Sequence, residues 1–272
     1  MIPKADRSVG VDVGASLAKL VLRDPQGLDF RCYPSRGIEQ AAREVEKFAP
    51  EHVAVTGVGA PGFAQLLGFG TTALTEFDAW RAGAAALLAR QGLPAPERDL
   101  VVSLGTGTSM LLVEAQGGAR LGGSALGGGT LLGLGTALLG CGEHGELMAL
   151  AAQGDRRKVD LRVSDLDPEG ALPLPGHLTA SSLAKLAGEG ARPARAAVAP
   201  ALVGLVAENV GILARAFAAA SETKRIVYGG STLRGDAPLR PILAECAFGY
   251  EVIFLEKGEY AGALGALELL SG

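Results

Sequence analysis

The chemistry this sequence spells most clearly lies in four short glycine-containing segments: Gly14-Ala15-Ser16, Gly105-Thr106-Gly107-Thr108, Gly127-Gly128-Gly129 and Gly229-Gly230-Ser231. Each follows an apolar run. Small residues let backbone N–H groups converge on phosphate oxygens, and a helix beginning after the triple glycine would add the positive end of its dipole. A single segment of this kind is equally well explained as a tight turn that needs positive φ. Four of them, three with hydroxyls, point to a polyphosphate ligand. They match neither GxxxxGK[ST] nor the dinucleotide fingerprint, because the first turn opens a hairpin and not a helix.

Charged residues stand beside these turns. Asp12 ends the first apolar run, where a carboxylate can hold Mg²⁺ through water against nucleotide phosphates; the competing reading is an Asx turn that stabilises the hairpin. Lys19 lies on the return strand, within reach of phosphates or on a solvated strand face. Glu76, in Thr75-Glu76-Phe77-Asp78, has Leu74 and Phe77 near it. It suits a general base of raised pKa, or a carboxylate answering a helix dipole with Thr75 or Asp78 as the cap. Arg120 is a lone cation between two glycine-rich loops, suited to a carboxylate or a transferring phosphoryl group, or else to a surface strand. His52, His144 and His177 have no metal-ligand spacing, and no GxSxG elbow or hydrolase triad order is present.

Such residues need scaffolds that present turns at strand ends. Residues 8–22 read as a hairpin and 29–33 as a third strand. Helix 38–48, strand 52–58, short helix 61–67, strand 71–74 and helix 78–90 follow, a βββαβαβα order. The Pro-containing segment LPAPER (93–98) predicts a boundary between a domain at 1–93 and another at 94–272. The pattern then restarts: DLVVSLGTGTSMLLVE (99–114) sets Gly105 on Gly14 and Ser103 on Asp12, a weak internal repeat. A third strand is expected at 120–124, a helix from Thr130, irregular chain at 159–175 and a long helix at 196–221. Strand 225–228, helix 239–247, strand 250–255 and helix 260–270 complete the order. The long helix is apolar on more than one face, which predicts burial in its domain or in a subunit interface. The expected class is α/β, with two duplicated halves around a nucleotide cleft.

Composition narrows the function classes. The 272 residues are 48% hydrophobic and 20% charged, an ordinary globular balance, with 40 glycines that follow no Gly-X-Y period and so exclude collagen. A net charge of -4 without a basic stripe argues against a nucleic-acid partner. Cys32, Cys141 and Cys246 are widely separated and form no CxxC, which fits a reducing cytoplasm and neither a disulfide framework nor a metal site. The start MIPKADRS has no apolar signal core, and no uncharged apolar run reaches the roughly 18 residues of a membrane span.

The duplicated halves with glycine-rich hairpin turns resemble the actin-like ATPase superfamily, of ribonuclease H-like fold, which includes acetate and sugar kinases. More narrowly, the chain resembles the bacterial type II pantothenate kinases. The stretches that carry this are VGVDVGASLAK (9–19), TEFDA (75–79), SLGTGTS (103–109), RLGGSALGGGTLLGLG (120–135), PGHLTASS (175–182), IVYGGSTL (226–233) and GEYAGALGAL (258–267), in order across nearly the whole chain. TEFDA followed by GTGTS and RxGG…GGG is the specific part.

The resemblance implies ATP- and Mg²⁺-dependent phosphorylation of the primary hydroxyl of pantothenate, the first step of coenzyme A synthesis. It places ATP on Asp12, Val13, Gly14, Ala15, Ser16, Leu17, Ala18 and Lys19, on Thr106, and on Gly128, Gly129, Thr130, Leu131 and Leu132, with His144 and Ser231 as further nucleotide contacts. Asp12 is the metal residue, Glu76 falls on the catalytic base, and Arg120 on the residue that holds substrate and transition state. It also implies a cytoplasmic homodimer, with the long helix in the interface and part of each pantothenate pocket supplied by the partner. The sequence departs from the family pattern at Ala15 and Ser16, where glycine and threonine are usual, at Thr136, where an aromatic is common, and at His144 in place of tyrosine. Two other readings compete. One is a nucleotide-gated activator ATPase, whose relatives carry a cluster-binding cysteine pair not found here. The other is a kinase for another small alcohol, such as an amino sugar.

Overall fold

Strands Ser8–Val13 (β1), Leu17–Asp24 (β2), Gly27–Pro34 (β3), His52–Thr56 (β4) and Thr72–Ala73 (β5) form one sheet in the order β3-β2-β1-β4-β5. Strands Arg98–Leu104 (β6), Thr108–Glu114 (β7) and Gly117–Ser124 (β8) open the second sheet. With Arg225–Gly229 (β11) and Glu251–Phe254 (β12) its order, read from β8, is β8-β7-β6-β11-β12. The two sheets are the same supersecondary unit twice: an antiparallel three-stranded meander whose first strand pairs in parallel with a later strand. This is the duplicated α/β architecture the internal repeat implies. It is seen in a computed structural model that describes residues 7–188, 193–235 and 237–270. A short antiparallel pair, Leu161–Arg162 (β9) with Thr179–Ser181 (β10), lies outside both sheets.

Helices Ile38–Phe48 (α1) and Ala60–Leu66 (α2) cover the outer face of the first sheet, with Ala41, Val45 and Phe63 packed on Val9, Val11 and Val13. Helices Glu76–Arg90 (α3) and Ala261–Glu268 (α9) stand between the sheets. Trp80, Leu87 and Leu88 of α3 and Leu264 and Leu267 of α9 share one buried cluster with Val21 of the first sheet and Val101, Leu111 and Val227 of the second. The two helices touch backbone to backbone: a Cβ at Gly83 would overlap the Ala261 carbonyl, and one at Gly265 the Ala79 carbonyl. Helix α9 lies on β1 in the same way, with Gly10 against the Ala263 carbonyl, so the chain returns to its first half at its end.

The outer face of the second sheet carries Gly128–Leu139 (α4), His144–Gln153 (α5), Arg195–Ala220 (α7) and Leu239–Cys246 (α8). Leu202, Val206 and Val210 of α7 pack there with Leu100, Val102 and Tyr228. Helix α7 is long and apolar enough to cross a bilayer by length and composition, but 67% of its apolar window is buried inside the molecule, as a core helix is. The LPAPER segment joins the sheets. Buried Arg225 pins it by donating from Nε to Asp99 at 2.8 Å and from Nη2 to the Pro94 and Ala95 carbonyls at 3.2 and 3.3 Å.

Several expected boundaries move for identifiable reasons. Helix α3 begins at Glu76 and not at 78, because Thr75 is the cap and its hydroxyl accepts from Asp78 N at 3.1 Å. Strand β4 stops at Thr56 and not at 58, because Gly57 turns to φ +90°. Helix α4 starts at Gly128 rather than Thr130, and β8 starts at Gly117 rather than Arg120. Segment 159–175 is not wholly irregular: it holds β9 and the short helix Val163–Leu166 (α6).

Candidate active site

The turns β1–β2 and β6–β7 face each other across a cleft of about 360 Å³. Asp12, Gly14, Ala15, Ser16, Leu17, Lys19, Glu76, Thr106, Arg120 and Ser231 all line it, so ten of the residues singled out from sequence meet in one place. The others stand back from it. Val13, Ala18 and Leu131 are in the hydrophobic clusters beneath, and Gly128, Gly129, Thr130, Leu132 and His144 lie behind the second turn, outside the cleft lining.

The two turns touch through hydroxyls: Ser16 Oγ and Thr106 Oγ1 are 3.0 Å apart. The triple glycine packs against the second turn. The first amides of α4 are already taken, Gly128 N by the Gly105 carbonyl at 2.8 Å and Gly129 N by the Thr106 carbonyl at 2.9 Å. Thr130 Oγ1 accepts from Gly127 N at 3.3 Å and donates to the Ala125 carbonyl at 3.1 Å. A Cβ at Gly127 would stand 2.6 Å from the Thr106 carbonyl oxygen, and one at Gly129 2.9 Å from Thr106 Cγ2. Glycine here lets the helix end press against the second turn and brace it. Of the four glycine segments only the last uses positive φ, at Gly230 (+111°).

That last segment is wired to the second turn as well. Thr232 Oγ1 donates to the Gly105 carbonyl at 2.8 Å, and the Thr232 carbonyl lies 3.2 Å from His144 Nε2. Burial first, and Arg234 second, push the His144 imidazole below its ordinary value, which favours the neutral ring.

Asp12 is buried and its Oδ2 accepts from Lys19 Nζ at 3.2 Å. Burial pushes the Asp12 carboxyl up, and the ammonium pulls against it. Glu76 is the first residue of α3, held by the Thr75 cap, with its carboxylate open to the cleft. Burial, and next the nearby Asp12, raise the Glu76 carboxyl above its usual range; Lys19 and Arg120 lower it in part. Arg120 is exposed at the cleft edge. The β7–β8 register shifts between Met110, opposite Gly122, and Leu111, opposite Arg120, which leaves Leu121 as an extra residue. Bulges of this kind re-aim a side chain, often beside an active site.

Sequence reasoning missed Thr56, Gly57, Val58, Trp80 and Glu259, of which all but Thr56 line the cleft. Gly57-Val58-Gly59 follows a strand end with the same glycine spacing as Gly105-Thr106-Gly107, and that spacing is the signal that could have found it. Glu259 had one: it is the acid inside the GEYAGALGAL stretch. Among the described residues no three His, Cys, Asp or Glu side chains cluster as metal ligands.

The arrangement sets two hairpin turns across one cleft, with a carboxylate and an ammonium at the first and Glu76 and Arg120 beside them. The Fumble family model matches residues 94–268. A type II pantothenate kinase of Staphylococcus haemolyticus is 31% identical over 266 residues, 96% of this chain and 99% of that protein. One of Staphylococcus aureus is 30% identical over 268 residues, 96% of this chain and 98% of that protein. Among solved structures, the activator of the 2-hydroxyisocaproyl-CoA dehydratase from Clostridium difficile with bound ADPNP has a TM-score of 0.65 at 16% identity, over 96% of this chain and 92% of that one. A ROK family glucokinase from Streptomyces griseus in complex with glucose and AMPPNP has a TM-score of 0.54 at 19% identity, over 98% of this chain and all of that one (100%). These two likenesses speak to fold alone.

Proposed function

The chain belongs to the Fumble family of type II pantothenate kinases, and on that premise we propose that its cleft transfers the γ-phosphoryl group of ATP to the primary hydroxyl of pantothenate. The observation that carries this is the meeting of Glu76 and Arg120 with both hairpin turns in one cleft. Glu76 accepts the hydroxyl proton as that oxygen attacks the γ-phosphorus and ADP leaves. Its carboxyl, raised by burial and then by Asp12, is a stronger base than an ordinary glutamate. Arg120 presents a planar fork of donors to the substrate and to the charge on the transferring group. Ser16, Thr106 and the turn amides orient the phosphates, and Lys19 offsets their charge. His144 and Ser231, joined through Thr232, serve the nucleoside end.

The residues present fit a hydrated Mg²⁺. Asp12 offers one carboxylate at the cleft, and Gly57 and Gly262 leave it unobstructed, each with a Cβ position under 3 Å from an Asp12 oxygen, at 2.8 and 2.9 Å. One carboxylate plus substrate phosphates is how Mg²⁺ is commonly held. When bound, Mg²⁺ supplies charge neutralisation across the β- and γ-oxygens.

The test is coupled ADP release over pantothenate, pantetheine and amino sugars. Strict dependence on pantothenate is expected. Turnover without any acceptor that rises with a partner protein would favour an activator, and preference for an amino sugar would move the acceptor assignment.

A homodimer is part of the same proposal. Most of α7 is covered by its own chain, so its apolar content alone is not the support. What remains is a groove of about 910 Å³ lined in part by Leu178, Ile212, Ile242 and Phe248, with Ile212 and Phe248 more than 60% exposed (62% and 63%). Light scattering is expected to return twice the chain mass; a monomer mass at every concentration would refute it. The three unpaired cysteines accord with a cytoplasmic location.

A further inference from the structure

Asp12 is the middle of a rung that crosses the first sheet. Its partner in register is Lys19 on β2 and Thr56 on β4, and residues in register project from the same face. The rung before it, Gly10 beside Ala54, offers no polar side chain. On one side of Asp12 the Lys19 ammonium is engaged at 3.2 Å. On the other side Thr56 is 0% exposed and its hydroxyl has no hydrogen-bond partner. Burying a hydroxyl unpaired is costly, and such groups in native folds call for a reason. Toward the cleft the carboxylate is open. Gly57 backs onto Asp12 Oδ1 and Gly262 onto Oδ2, close enough that neither could carry a side chain. Within the first sheet, the polar side chains beside the carboxylate are therefore those of the rung, Lys19 and Thr56.

We propose that Thr56 is a positioning residue for Asp12: its hydroxyl donates to the Asp12 carboxylate once Lys19 is drawn from Asp12 onto the incoming polyphosphate. Lys19 cannot neutralise phosphate and anchor Asp12 equally well, because one ammonium would be shared between two anions. With Thr56 as the second anchor, Asp12 keeps its orientation toward the cleft and its charge for the hydrated cation. The inference rests on the reading of Asp12 and Lys19 as phosphate-end residues and is independent of which alcohol accepts the phosphoryl group.

The experiment is calorimetric titration of the full chain with a non-hydrolysable ATP analogue, in excess Mg²⁺ and in EDTA, for wild type, Thr56→Val and Thr56→Ser. Thr56→Val is expected to lose about ten-fold in affinity with Mg²⁺, the scale of one hydrogen bond to a charged group. In EDTA, with no cation for Asp12 to orient, the loss should be clearly smaller, and Thr56→Ser should retain wild-type binding in both. Because Thr56→Val removes an orphan hydroxyl while keeping its shape, its ligand-free melting temperature should equal or exceed that of wild type. Wild-type affinity of Thr56→Val in Mg²⁺ overturns the proposal, and so does an equal loss with and without Mg²⁺, which marks a packing defect. Should Thr56→Val not fold, Thr56→Ala carries the same comparison. If the wild-type protein binds no nucleotide, the reading of the cleft itself fails, an outcome distinct from a silent Thr56→Val.

Discussion

Glu76→Gln is expected to lower kcat by about 10²–10⁴-fold, the usual cost of a lost general base, with nucleotide affinity and melting temperature near those of wild type. The amide keeps the size of the side chain, and the helix start depends on Thr75 and not on Glu76. What is lost is the site that takes the hydroxyl proton. A pH profile makes the assignment sharper. The Glu76 carboxyl lies above the ordinary glutamate range, chiefly through burial and then through Asp12. The base works only when deprotonated, so activity should rise with pH through that raised value and fall away on the acid side of it. This acidic limb of kcat/KM should lie above the pH at which an exposed glutamate titrates, and should vanish in Glu76→Gln. A variant that phosphorylates pantothenate at near wild-type rate, or that retains the limb, would give the proton to another group.

Arg120→Lys is expected to reduce kcat clearly, with a mixed loss in kcat/KM, although charge is conserved. Lysine offers one compact ammonium where arginine offers a rigid planar fork. The bulge at Leu121 and the small residues Gly122 and Gly123 set that fork at the cleft edge; a Cβ on Gly123 would already stand 3.1 Å from Arg120 Nη2. Losing one charge-assisted contact costs about 1.5–3 kcal/mol, or roughly 10–100-fold. If Arg120 acts in the transition state, kcat and kcat/KM fall together; if it holds only the ground state, KM rises alone. Steady-state constants equal to wild type in both would remove Arg120 from the site.

Much of this site is legible before any coordinates, for a physical reason. Hairpins at 8–24 and 98–114 announce themselves through alternating apolar runs broken by small residues, and their recurrence marks the duplication of the two sheets. Glu76 is legible as an acid between strand and helix, though its place as the first helical residue depends on which of two candidate caps is used. The triple glycine is legible only in part: its composition reads as phosphate-binding amides, and nothing local foretells that the Gly128 and Gly129 amides bond to carbonyls of the neighbouring turn, a contact made between distant segments. Thr56 is the least legible. Its meaning lies in which strand pairs with β1, and a parallel partner far along the chain leaves no mark on local spacing.

Helix α9 gives the molecule an order of events during synthesis. The face of β1 around Gly10 is sealed by Ala263 and Leu267, which lie far downstream in the chain. The first half precedes α9 in synthesis and lacks that covering until α9 has been made, whereas the second sheet has all its strands by residue 254. Closing contacts across so much chain is entropically slow. Removal of α9 is thus expected to leave Asp12, Glu76 and Arg120 in the chain but the sheet that bears Asp12 unsealed.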